Sequence, residues 1–115
     1  MEKRMMERDT MINESELLKR VKKAVLELAP NAEVILYGSR ARGTARRDSD
    51  WDFLILLPGL VSKELEMEIK DRLYDIELET DTVLTSIVRS KQVWLSKRYE
   101  VLPLRQEVEK DGIVV

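Results

Sequence analysis

Two short apolar runs with a tight turn between them set the frame of this chain. Val34-Ile35-Leu36-Tyr37 runs into Gly38-Ser39-Arg40-Ala41-Arg42-Gly43, and Asp50-Trp51-Asp52 leads into Phe53-Leu54-Ile55-Leu56-Leu57. Apolar runs of this length, bounded by turn formers, read as buried strands. Side chains alternate faces along a strand, so Asp50 and Asp52 point the same way, about 6.5–7 Å apart along the backbone. Two carboxylates held that close are costly unless a positive charge sits between them, and a divalent cation is the usual neutraliser. A Gly-Ser turn that opens a short helix offers free backbone N–H groups to an anion such as phosphate. Metal-binding acids beside a phosphate cradle point to phosphoryl or nucleotidyl chemistry.

The remaining segments supply the body of a small α/β unit. Residues 1–12 are polar with scattered methionines and read as a flexible tail or a partner-contacting arm. Asn13 with Glu16 three residues on resembles a capping box. Leu17, Leu18, Val21, Val25, Leu26 and Leu28 then recur at helical spacing until Pro30 ends the helix. The first strand is expected over Glu33–Tyr37 and the second over Asp52–Leu57, stopped by Pro58-Gly59. Ser62 caps a second helix with Leu65, Ile69, Leu73 and Ile76 on one face, and the β-branched stretch Thr82–Val88 reads as a third strand. Beyond Ser90 the apolar residues Val93, Trp94, Tyr99, Val101 and Leu104 are enough to fold back on the body, and Pro103 is placed to start a last helix.

Composition narrows the chemistry. The 115 residues suit one domain with a single core. With no cysteine and no histidine, disulfides, thiolate metal sites and a Ser-His-Asp triad are excluded, which leaves carboxylates as metal ligands. A formal charge of −2 advertises no nucleic-acid partner. No apolar run reaches the ~18 residues of a membrane span, and Met1-Glu2-Lys3-Arg4 does not start a signal peptide. A soluble, cytoplasmic chain is expected.

Gly38-Ser39, ten further residues, then Asp50-Trp51-Asp52 inside an apolar strand resembles the signature of the DNA polymerase β-like nucleotidyltransferase superfamily. The wording Gly38-Ser39-Arg40-Ala41-Arg42-Gly43 and the approach Arg46-Arg47-Asp48-Ser49-Asp50 resemble its minimal prokaryotic members. The core motif spans residues 34–57, and the order of elements extends the likeness over residues 13–90. Trp51 departs from the usual aliphatic residue and reads as a packing variant. The resemblance implies one α/β (α+β) domain over residues 13–115, with a short mixed sheet and helices packed mainly on one face. It implies Mg²⁺ on Asp50 and Asp52, with ATP or another NTP as substrate and transfer of a nucleoside monophosphate to a hydroxyl. Larger members carry a second helical region for which this chain has no length, so the acceptor is expected on another molecule. Relatives of this kind pair with a small helical HEPN-domain protein, often as the antitoxin that modifies a tyrosine of the toxin.

The individual residues carry alternatives. Gly38 serves either close approach of backbone to a triphosphate or simply the turn, and Ser39 either bonds a phosphate oxygen or caps a helix. Gly43 fits a helix end. Of the four arginines between 40 and 47, Arg40 or Arg42 is the candidate to reach a triphosphate, while Arg46 and Arg47 suit an acidic partner surface. Superfamily enzymes place a third acid on the strand beside the Asp-x-Asp strand. Here the candidates are Asp81 and Glu79, with Glu77 behind, because Val83, Leu84, Thr85 and Ser86 carry no acid. Trp94 and Tyr99 either stack on a base or anchor the C-terminal segment. Two other functions stay open: a catalytically weak nucleotide-binding module that masks a partner, and a nucleotidyltransferase of the drug-modifying kind, which would need a homo-oligomer to close its acceptor pocket.

Overall fold

A computed structural model describes residues 13–115. The proposed tail or partner arm, residues 1–12, lies outside the described residues. The first helix, α1 (Glu14–Leu28), starts where Asn13 Oδ1 accepts the Glu16 N–H at 2.7 Å, and it buries Leu17, Val21, Ala24 and Val25. Strand β1 (Glu33–Tyr37) is followed by the one-turn helix α2 (Ser39–Arg42) and by β2 (Trp51–Leu57). Helix α3 (Lys63–Thr80) begins at Ser62, whose hydroxyl accepts the Leu65 N–H at 3.1 Å, and leads to β3 (Leu84–Ser90). Three short helices, α4 (Lys91–Trp94), α5 (Lys97–Glu100) and α6 (Pro103–Asp111), precede the two-residue strand β4 (Ile113–Val114).

The strands lie in the order β3-β2-β1-β4. β1 pairs antiparallel with β2 and β4, while β2 and β3 are parallel. The connections dictate this. Residues 38–50 join β1 to its antiparallel neighbour β2, whereas the parallel pair β2 and β3 needs a long crossover, which α3 provides. α1 and α3 cover one face, where Leu17, Val21, Val25, Ile69, Leu73 and Ile76 pack on Val34, Leu36, Trp51, Phe53, Ile55 and Leu57. The opposite face holds Ile35, Tyr37, Leu54 and Leu56 under Trp94 and Val108 from the C-terminal helices. Past Asp52, β2 is buried on both sides, which is why residues 53–57 are an unbroken apolar run rather than an alternating one. Phe53, Leu54 and Ile55 are wholly buried, each contributing roughly 1.5–3 kcal/mol.

β3 starts two residues later than its β-branched composition suggests. Thr80 stays helical, its hydroxyl donating to Ile76 O at 2.7 Å and sharing a second bond with the Thr82 hydroxyl. Asp81 then closes α3 in the left-handed conformation (φ 55°), so residues 81–83 form the turn. Trp94 is buried, 5.9 Å from Tyr99, and the Arg105 guanidinium donates to Trp94 O at 2.6 Å. This indole anchors the C-terminal segment to the sheet. Among the described residues, no helix is long and apolar enough to cross a membrane.

Candidate active site

Tyr37, the last residue of β1, lies opposite Asp52 of β2, and Asp52 lies beside Thr85 of β3. The site therefore forms where the ends of these three strands meet on the face away from α1 and α3. Gly38 follows at φ 79°, ψ −161°, a combination populated almost solely by glycine. A Cβ on Gly38 would stand well under 3.0 Å from Asp52 Oδ2 and 3.2 Å from its Cγ. Glycine is required here twice over, by the backbone angle and by the carboxylate packed against it.

Gly38 O accepts the N–H groups of Ala41 (3.0 Å) and Arg42 (3.1 Å), which winds α2. The first N–H groups of that turn, those of Ser39 and Arg40, have no carbonyl to meet within the helix. Gly43 ends the turn in the left-handed conformation. Arg40 then folds over the following loop. Its Nη2 donates to Ser49 O (2.9 Å) and Arg47 O (3.1 Å), its Nε to Ser49 O (3.3 Å), and its guanidinium stacks 4.2 Å above the Trp51 ring. Trp51 is thus a platform as well as a core residue. The clamp fixes the loop immediately before Asp50. Arg42 reaches the other way, donating to Glu107 at 3.2 Å with Asp111 at 3.8 Å on α6. Both arginines expected at a triphosphate are engaged with protein groups.

Asp50 is exposed, one residue ahead of β2, and Asp52, within the strand, is half-buried. Thr85 Oγ1 donates to Asp52 Oδ1 at 2.5 Å. The acids named from sequence as a third carboxylate lie apart from this pair. Glu79 is ion-paired with Arg20 of α1, and Glu77 accepts the Leu84 N–H at 2.7 Å. Asp81, exposed at the end of α3, rims a depression with Arg40, Arg47 and Trp51. Among the described residues, no cluster of three or more acids able to hold a metal forms. Burial, and then the neighbouring carboxylates Asp52 and Glu107, raise the Tyr37 phenol above its ordinary pKa of 10.0. Sequence reasoning missed the parts played by Tyr37, Thr85 and Glu107. Each is set by a cross-strand or helix-to-sheet neighbour, and nothing local in the sequence reports that register.

The sequence pattern of the nucleotidyltransferase domain family matches residues 18–113. The chain belongs to this family. Among solved structures, this nucleotidyltransferase domain is similar to a toxin–antitoxin structure with AMP-PNP (TM-score 0.56, 19% identity, covering 90% of this chain and 72% of the other). It is also similar to a mutant of the toxin–antitoxin pair MntA–HpeT (0.55, 18%, 90% and 72%). A candidate nucleotidyltransferase from Sulfolobus solfataricus gives 0.50 and 28% identity over 86% of this chain and 76% of the other. The fold is theirs: a small mixed four-stranded sheet with helices. No curated protein sequence matches the chain.

Proposed function

We propose that this nucleotidyltransferase domain, over residues 13–115, transfers AMP from ATP to a hydroxyl of a partner protein with Mg²⁺ as cofactor. The observation that carries the proposal is the contact between Asp52 and the Gly38 turn, which packs a carboxylate oxygen against the backbone at the start of α2. The donor set fits Mg²⁺, which is commonly held by one or two carboxylates plus substrate phosphates rather than by an all-protein cage. Asp50 and Asp52 would supply those carboxylates, and the cation would neutralise charge on the leaving pyrophosphate. Gly38 and Ser39 would take the phosphates on backbone N–H groups. Asp81 and Glu79 stay outside this assignment. The clamp from Arg40 gives that residue the task of holding Asp50 in place, and Arg42 is the guanidinium that would have to leave Glu107 to reach a phosphate.

The similarity to toxin–antitoxin structures, one of them with AMP-PNP, supports ATP as donor and an antitoxin role. We assign the acceptor to a tyrosine of a helical HEPN-type toxin, in a cytoplasmic complex. The two-carboxylate site favours a second reading, in which the domain binds nucleotide and masks its partner without transfer. Co-expression with the protein encoded next to it, followed by intact-mass measurement, separates the two. Added AMP units that vanish when Asp50 and Asp52 are both replaced by Asn support transfer. A partner that binds but gains no mass under ample ATP and Mg²⁺ supports masking. ATP binding by calorimetry that ignores both Mg²⁺ and Asp52→Asn would remove the metal from either reading.

A further inference from the structure

The Asp52 carboxylate has two oxygens in two different surroundings. Oδ2 faces Gly38, in space that any side chain there would fill. Oδ1 receives the Thr85 hydroxyl at 2.5 Å, the short length of a hydrogen bond to an ionised acceptor. Among the described residues, Thr85 is the one side chain bonded to Asp52, and no lysine or arginine pairs with it.

An aspartate turns freely about its last side-chain torsion, which has a broad profile rather than three sharp wells. A threonine does not, because two heavy atoms on Cβ restrict its first torsion in a strand. The parallel register sets Thr85 directly beside Asp52, so the stiff residue holds the loose one. We infer that Thr85 is the positioning residue of this site: its hydroxyl fixes Asp52 Oδ1 and thereby aims Oδ2 at the Gly38 turn. The inference rests on the assignment of Asp52 as a metal ligand, and it adds what a two-carboxylate site needs. A carboxylate at position 85 would sit directly opposite Asp52 as a like charge, which is unfavourable until a cation arrives. A hydroxyl orders the carboxylate without a cation. The site is then set before metal and nucleotide bind.

The test uses the full chain, Mn²⁺ as a paramagnetic stand-in for Mg²⁺, and an ATP analogue with a non-cleavable bridge between its α and β phosphorus atoms. Electron paramagnetic resonance reads free Mn²⁺ during titration of wild type, Thr85→Val, Thr85→Ser and Thr85→Ala. Valine keeps the branched shape and loses the hydroxyl, so Mn²⁺–nucleotide affinity is expected to fall about tenfold or more, as for other groups that orient a metal ligand. Serine keeps the hydroxyl and should recover to within about threefold of wild type. Alanine should match valine if the hydroxyl alone matters, and it stands in should the valine variant fold poorly. Melting temperatures without metal report whether any loss is merely structural. Wild-type affinity in Thr85→Val, or a loss in Thr85→Ser as deep as in Thr85→Val, overturns the inference alone. A wild-type protein that takes up no Mn²⁺–nucleotide overturns the metal assignment and this inference together.

Discussion

Replacing Gly38 by alanine tests the geometry of the site most directly. The backbone there sits at φ 79°, ψ −161°, where an L-residue costs about 1–3 kcal/mol. The added methyl also meets Asp52 Oδ2, which must withdraw until it clears the 3.0 Å below which such contacts do not occur. That movement breaks the bond from Thr85 to Asp52 Oδ1, worth about 1.5–3 kcal/mol for an ionised acceptor before discounting its partial exposure. A total cost of roughly 2–5 kcal/mol is expected, which lowers the melting temperature by on the order of 10 °C or more. A glycine needed only for approach of a ligand would accept alanine with the fold intact, so the size of the loss is informative. Urea denaturation of Gly38→Ala, Asp52→Ala and the double variant separates the two contributions. Without the Asp52 carboxylate only the backbone strain remains, so the pair should show a coupling of about 1–3 kcal/mol. Equal costs in both backgrounds would refute the clash, and a cost below about 0.5 kcal/mol in the wild-type background would refute the strain as well.

The Arg40 clamp depends on a planar fork lying on an aromatic ring, so Arg40→Lys should loosen the loop almost as much as Arg40→Ala. Faster cleavage by limited proteolysis within residues 43–50 is expected, with about 1 kcal/mol lost in denaturation. Trp94→Ala removes the anchor of the second face and should cost about 3–5 kcal/mol in urea, whereas Tyr74→Ala, on the exposed side of α3, should change stability little. The Tyr37 phenol is raised in the folded state, so above pH 10.0 the unfolded chain loses its proton first. The stability this contributes is intact below pH 10.0 and disappears as pH climbs through the folded value. Tyr37→Phe should therefore flatten the alkaline loss of stability measured by denaturation at stepped pH.

The elements that rest on local chemistry were legible. The Asn13 and Ser62 caps, the stop at Pro30 and the two apolar runs place α1, α3, β1 and β2 nearly to the residue. What stayed hidden depends on distant partners. β4 has only two residues and exists because β1 offers it an edge, so no periodicity announces it. The late start of β3 follows from Asp81 closing α3 in the left-handed conformation and from the Thr82 hydroxyl bonding back to Thr80, which keeps Thr82 in the turn rather than the strand that its composition favours. At the site, the spacing of Gly38, Asp50 and Asp52 was readable because it lies within one short segment. Val83, Leu84, Thr85 and Ser86 carry no acid, which left only the residues before β3 to supply a third carboxylate, and the offset between β2 and β3 cannot be derived from either strand. That offset is what puts a hydroxyl, from Thr85, next to Asp52.

The order in which the sheet is completed follows from the place of β1. Its inner edge pairs with β2, the next strand along the chain, but its outer edge waits for β4, where Leu36 meets Ile113 and the Val115 N–H donates to Val34 O at 2.9 Å. A ribosome moving at ~5–20 residues per second needs roughly 4–15 s to travel from one partner to the other. During that interval β1 carries a bare row of backbone donors and acceptors, open to pairing with a neighbouring nascent chain. The carboxylates of Glu107 and Asp111 that hold Arg42 are also still missing. The arginine turn of the site is therefore among the last parts to settle. Slow translation of the C-terminal third would lengthen the period in which this sheet is exposed to aggregation.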